Sequence, residues 1–337
     1  MTLFDRYIAV DWSAANTPRL GKDSIWVGEW GSDERDARVA APHPDPLPGG
    51  ERGRAGTGGA LTLASPLPVG VRGRLGQSLN LPTRNAAIAH LAQRLRWALE
   101  QGERVFVGCD FGFGYPEGTA SKLTGAADWQ GVWALIAELV VDAENNANNR
   151  FAVAEALNGR LGEALFWGHP HQHTYAGLTP RRPTHGYRQI AERRAVERLS
   201  RSVQPMFKLA GVGSVGSQSL TGIARLERLR REPSLAGQIA VWPFETGLAG
   251  AVERPVWLVE MYPSLFPLPF DAPEPKDRAQ VEAAARGFAE LDARGLLAAF
   301  LSPPAGTSAA VREAAAREEG WIAGAGQTSL LVAEAVA

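Results

Sequence analysis

A single cysteine, Cys109, stands among 337 residues, so neither an internal disulfide nor a cysteine-built zinc cage can form. Cys109 closes the apolar run Val105 to Cys109, where a packing role is expected of it. Also missing is any apolar run near the roughly 20 residues that a bilayer-crossing helix needs, which predicts no membrane partner. The opening stretch, MTLFDRYIAVDWSAAN, sets Asp5, Arg6 and Asp11 where a secretion signal requires apolar residues, which predicts a cytoplasmic protein. Neither charge sign is in excess: 35 Lys and Arg face 36 Asp and Glu. With 45% hydrophobic and 21% charged residues, the composition is that of a globular protein rather than a disordered chain.

The balance hides a segregation. Residues 181–231 hold 12 of the 35 basic residues and only 3 of the 36 acidic ones. Two readings fit: a basic module that grips a polyanion, nucleic acid or a phosphorylated small molecule, and a solvated pair of arginine-rich helices.

Tyr7 to Val10 is a short β-rich run ending at Asp11, and Ser24 to Trp30 alternates apolar and polar residues as a half-buried strand does. Residues 41–76 break every periodicity. There PLPGGERGR at 46–54 returns as PLPVGVRGR at 66–74, a low-complexity repeat predicted to be a flexible insertion without catalytic role. Asn85 to Glu100 has helical spacing, with Thr83 or Asn85 as N-cap, and Arg104 to Cys109 reads as a strand buried on both faces. Helices are predicted at Trp129 to Asp142, Arg150 to Leu161, Arg188 to Ser202 and Gln218 to Arg231. Strands follow at Gln238 to Phe244 and Val256 to Met261, then helices at Asp277 to Phe300 and Ala309 to Ala323. The pattern is an α/β mixed-sheet core, residues 1–127 and 236–337, split by a large, mostly helical and basic insertion at 128–235.

Four acidic positions stand out. Asp11 ends the first strand, Asp110 ends the buried one, Glu260 sits in VWLVE, and Glu319, with Glu318 as its rival, lies on the last helix. Side chains at strand C-termini point into the crevice where α/β sheets bind ligands. Carboxylates gathered there are costly to bury unless a cation neutralises them, and hard oxygen donors select Mg²⁺ or Mn²⁺. Such ions place a water for attack on a phosphodiester. Each residue also has a plainer reading: an Asp after a strand forms turns, a helical Glu faces solvent, and Glu260 could serve an arginine.

IAVDWSA, VGCDFGFGYP, VEMYPSLF and EEGWIAGA together resemble the predicted RNase H-like nucleases catalogued as domain of unknown function 429. The resemblance covers the sheet core and last helix, about half the chain. It implies an RNase H-like fold and a metal-dependent phosphodiester hydrolase with Asp11, Asp110, Glu260 and Glu319 as catalytic metal ligands.

GVGSVG at 211–216 has the literal G-x-G-x-x-G spacing but lacks the firm preceding strand that a dinucleotide site needs. Gly213, Ser214 and Ser217, with Lys208 beside them, are instead expected to hold a substrate phosphate at a helix N-terminus. HPHQH at 169–173 reads as a loop, and Trp129 with Trp133 as a core stripe. Two rivals to the hydrolase remain open: an actin-like or sugar-kinase-like phosphotransferase, which needs a duplicated core, and a non-catalytic binding module.

Overall fold

The structure, a computed structural model, describes residues 2–31, 74–75, 78–200, 202–248, 253–269, 271–272 and 274–332. The repeat-bearing segment 41–76 lies outside these residues except at Arg74–Leu75, which pairs as a strand. The fold is mixed α/β, built on a seven-stranded sheet: β1 (Arg6–Asp11), β2 (Ile25–Gly31), β3 (Arg74–Leu75), β4 (Leu79–Leu81), β5 (Val105–Cys109), β6 (Ile239–Val241) and β7 (Val256–Glu260). The strand order is β3-β2-β1-β5-β7-β6, with β4 also on β2. β2 is antiparallel to β1, β3 and β4, whereas β1, β5, β7 and β6 run parallel. Every residue of β5 and β7 is buried, which explains their unbroken apolar sequence in a sheet covered on both faces.

Five helices share one face of the sheet: α1 (Arg84–Glu100), α2 (Thr119–Thr124), α3 (Trp129–Leu139), α4 (Arg150–Leu161) and α5 (Gly216–Arg230). Thr83 caps α1, its hydroxyl accepting from Ala86 N at 3.1 Å, and Asp128 caps α3 in the same way from Gly131 N. Leu91 and Leu95 then face Ile8, Val10, Val105 and Val107 in one core, and each such fully buried aliphatic side chain contributes about 1.5–3 kcal/mol. Trp129 and Trp133 belong to this core. The opposite face carries α6 (Lys276–Ala293), α7 (Leu297–Leu301), α8 (Ala309–Ala314) and α9 (Ser329–Val332) around a second core of Tyr7, Phe106, Trp257 and Phe288. α6 lies hard against β2: a Cβ on Gly28 would fall 2.8 Å from the Val281 backbone. That close approach fixes where the α6 N-terminus ends up, above the C-terminal end of β1.

Two expectations are corrected. Arg188 to Ser202 is not a helix but a loop with one 3-10 turn at Val196–Arg198. Glu197 is the cause, since its carboxylate accepts from both the backbone N (3.1 Å) and the Nε (2.8 Å) of Arg194 and closes a local turn in place of a helical ladder. The predicted Ala309 to Ala323 helix stops early, passing from α8 into one π turn at Ala315–Glu319 and ending at Gly320, whose φ is +71°. The described residues of 162–215 hold no α-helix, so the stretch predicted as a mostly helical insertion is helical, among the described residues, only towards its two ends.

Candidate functional site

Parity along the strands decides which carboxylates meet. On β1, Ile8 and Val10 enter the α1 core while Tyr7 and Ala9 enter the α6 core, so Asp11 continues the α6 side. β5 pairs with β1 so that Val10 matches Cys109, and Asp110 N donates to Val10 O at 3.1 Å. Asp110 therefore stands next to Asp11 on the same side. The two carboxyls hydrogen-bond to each other, and Trp12 N donates to Asp110 Oδ1 at 2.7 Å. Both are held well above the ordinary carboxylate range, first by burial and then, for Asp110, by the neighbouring Asp11 charge. Among the described residues no Lys, Arg or His forms an ion pair with either.

A third carboxylate, overlooked in the sequence, lines the same cleft. Asp277, in the first turn of α6, raises the pKa of both, and its Oδ2 is oriented by Asp23 N at 2.7 Å. The cleft they share has a volume of about 610 Å³ and is also lined by Gly213, Ser214, Ser217, Gln218, Arg150 and Tyr262.

Glu260 does not complete this group. Its register partner on β5 is Cys109, not Asp110, so although Glu260 borders the same cleft its side chain leaves the strand on the opposite face. There Arg194 grips it with two bonds, Nη2 to Oε1 at 2.6 Å and Nη1 to Oε2 at 2.8 Å, and Phe113 N adds a third at 2.9 Å. Burial works to lower the Arg194 pKa, but the charges and hydrogen bonds of Glu260 and Glu197 outweigh it and raise the pKa above the ordinary range, so the guanidinium stays charged. Glu319 is likewise taken: Oε1 accepts from Glu117 N at 2.9 Å and Oε2 from Ala195 N at 2.8 Å. Glu318 accepts from Gly118 N and Ala120 N, both at 3.1 Å, at the start of α2. The π turn explains why both adjacent glutamates point inward. Gly114 makes room for it, because a Cβ there would lie 2.2 Å from Glu318 O. The four-carboxylate cluster expected from sequence is thus divided: Asp11 and Asp110 pair with each other in the cleft, while Glu260, at the border of the same cleft, and Glu319 are consumed by protein donors.

The glycine loop is corrected in part. Gly213, Ser214 and Ser217 line the cleft as expected, but Lys208 turns away from it, donating to Gln204 Oε1 at 3.1 Å and Val212 O at 2.7 Å. The Ser217 hydroxyl is also occupied, donating to Leu209 O at 2.6 Å and accepting from Arg150 Nε at 2.9 Å. The arginines of residues 181–231 are spent internally to a large extent. Arg194 pairs with Glu260 and Glu197, Arg225 with Asp142, Arg230 with Glu245, and Arg228 bonds the Ala137 and Val140 carbonyls. Cys109 is buried, and burial raises its thiol pKa above the ordinary range, consistent with packing.

Among the described residues, no three His, Cys, Asp or Glu side chains are gathered closely enough to hold a metal ion between them. The donor set does not fit a four-carboxylate cage. It does fit one hard cation held by two carboxylates, the way Mg²⁺ is commonly bound, with its remaining positions left to water and substrate.

No family model, curated protein or solved structure matches the chain. The resemblance to domain of unknown function 429 therefore rests on the four sequence motifs alone. No helix among the described residues is long and apolar enough to cross a membrane.

Proposed function

We propose that the chain is a metal-dependent phosphodiester hydrolase on an RNase H-like core, acting on nucleic acid or a phosphorylated small molecule. One observation carries the reading: Asp11 and Asp110, at the ends of adjacent parallel strands, are pressed together at the floor of a cleft without a protein cation to neutralise them. Burying like charges this way is costly, and structures retain such strain where a site uses it. The strand order supports the fold, with antiparallel β2 and β3 leading through central β1 to parallel β5 and β7. The phosphotransferase alternative needs a second, duplicated core, and the described residues form one sheet.

Asp11 and Asp110 would hold Mg²⁺ or Mn²⁺ through their deprotonated carboxylates. The bound ion would supply positive charge for a phosphate oxygen and acidify a water at neutral pH. Asp277, which lines the same cleft and is fixed in position by Asp23 N, orients a water there or takes up its proton. Trp12 N locks the Asp110 rotamer, so the dyad is set before substrate arrives. Gly213 and Ser214 border the substrate on the α5 side. Glu260 and Glu319 take no part in the chemistry and instead fix the loop that carries Arg194.

The test is hydrolysis of bis(p-nitrophenyl) phosphate and of short oligonucleotides with and without Mn²⁺. Activity should require the metal and fall to background in Asp11→Asn and Asp110→Asn. Cleavage that persists in either variant, or in excess chelator, contradicts the assignment.

A further inference from the structure

Around Arg150, which lines the same cleft, the imbalance is reversed. Asp142 is bonded by two guanidiniums at once: Arg84 through Nε at 2.9 Å and Nη2 at 2.6 Å, and Arg225 through Nε at 2.7 Å. Both oxygens are used, and Asp142 has no exposed side-chain surface left. Arg150, the first residue of α4, lies near enough to feel the Arg84 charge yet makes no ion pair among the described residues. Arg84 and Arg225 therefore take the one carboxylate, and Arg150 has none paired with it among the described residues.

Arg150 is nonetheless held firmly, by neutral groups only. Nε donates to Ser217 Oγ at 2.9 Å, Nη1 to Asn148 Oδ1 at 2.8 Å and to Asn16 Oδ1, and the plane packs over the Phe151 ring at 4.3 Å. Nη2, with two N–H groups, donates to no group among the described residues, and Arg150 lines the same cleft as Asp11 and Asp110. Burial and the Arg84 charge draw its pKa down to about 10, which still leaves it protonated at neutral pH. A rigid, charged fork without a counter-ion is the usual arrangement for receiving a planar or tetrahedral oxyanion.

We propose that Arg150 is the anion subsite of the cleft and receives a phosphate group of the ligand through its free Nη2 edge. It takes the part that Lys208 was expected to play, and Ser217 acts by orienting the guanidinium. The inference rests on the phosphodiester reading for the identity of the anion, and on its own geometry for the subsite.

Calorimetry on the metal-free full chain tests it, with inorganic phosphate, thymidine 5′-monophosphate and a tetrathymidylate as titrants. Phosphate-bearing titrants should bind the wild type and bind Arg150→Ala about 10- to 100-fold more weakly, the loss of one or two charge-assisted hydrogen bonds. Mn²⁺ affinity in that variant should be unchanged, which shows the fold intact. Arg150→Gln keeps a donor toward Ser217 and removes the charge; it decides the matter if the alanine variant does not fold, and it too should lose phosphate affinity. Binding of the two small titrants alone assigns a small phosphorylated ligand, and binding of the tetranucleotide alone assigns a nucleic-acid backbone. Phosphate affinity should survive in Asp110→Asn, so failure of the metal site and failure of the subsite are separable. Failure of the wild type to bind any of the three titrants, or wild-type affinity for the titrant that binds in folded Arg150→Ala or Arg150→Gln, overturns the proposal.

Discussion

Two groups of carboxylates sit at the same end of the sheet and are treated in opposite ways. Around Arg194, every oxygen of Glu260 and Glu319 has a donor, and the pair with Glu260 is bidentate and buried. At Asp11 and Asp110, two buried acids hydrogen-bond to each other, and among the described residues no protein cation pairs with either. The first group is finished when the chain folds, whereas the second becomes complete only when a ligand supplies positive charge. Sequence position alone does not separate structural from functional acids; the supply of donors does.

The largest effect that would test this contrast lies on the structural side. Arg194→Met leaves Glu260 and Glu197 buried without their cation, and breaking a buried pair in this way costs about 3–5 kcal/mol. Urea unfolding measures it. A loss below about 1 kcal/mol, as for an exposed pair, would erase the distinction between the two groups.

A smaller effect of opposite sign is expected at the dyad. The folded-state pKa values of Asp11 and Asp110 lie above their ordinary 3.8, so between that value and the raised ones the folded chain holds more protons than the unfolded one. Stability of the metal-free protein is then greatest at low pH on this account and declines as pH rises through the raised values, by up to about 1.4 kcal/mol per pH unit for each proton. Asp110→Asn removes the repulsion and should flatten the decline, leaving the variant as stable as the wild type or more so at pH 8. Coincident melting profiles from pH 5 to 8 would show that the dyad is not under strain.

Much of the fold was legible because period-2 and helical patterns are local. β1, β2, β5, β7 and the helices α1, α3, α4, α5 and α6 all fall where apolar spacing places them. β3 and β4 are too short for any periodicity, and α2, six residues among glycines, depends on Glu318 from the far end of the chain. At the site, Asp11 and Asp110 could be read because each directly closes an apolar strand. Glu260 misled because an offset of one residue in register reverses a side chain's face, and register is set between strands rather than along one. Asp277 resembled an ordinary helix-start acid, and only its tertiary placement brings it over the dyad. Arg150 became visible only once Asp142 was seen to be fully claimed by Arg84 and Arg225.

The most direct measurement of the central claim is calorimetric titration of the chain with Mn²⁺ at pH 7 in two buffers of different ionisation enthalpy. A single site that releases about one proton on binding is expected, since the cation displaces the proton that Asp11 and Asp110 share, and Asp110→Asn should abolish both binding and proton release while Glu260→Gln, if folded, retains them. Equal Mn²⁺ affinity in wild type and Asp110→Asn, or binding that depends on Glu260 instead, would contradict the account.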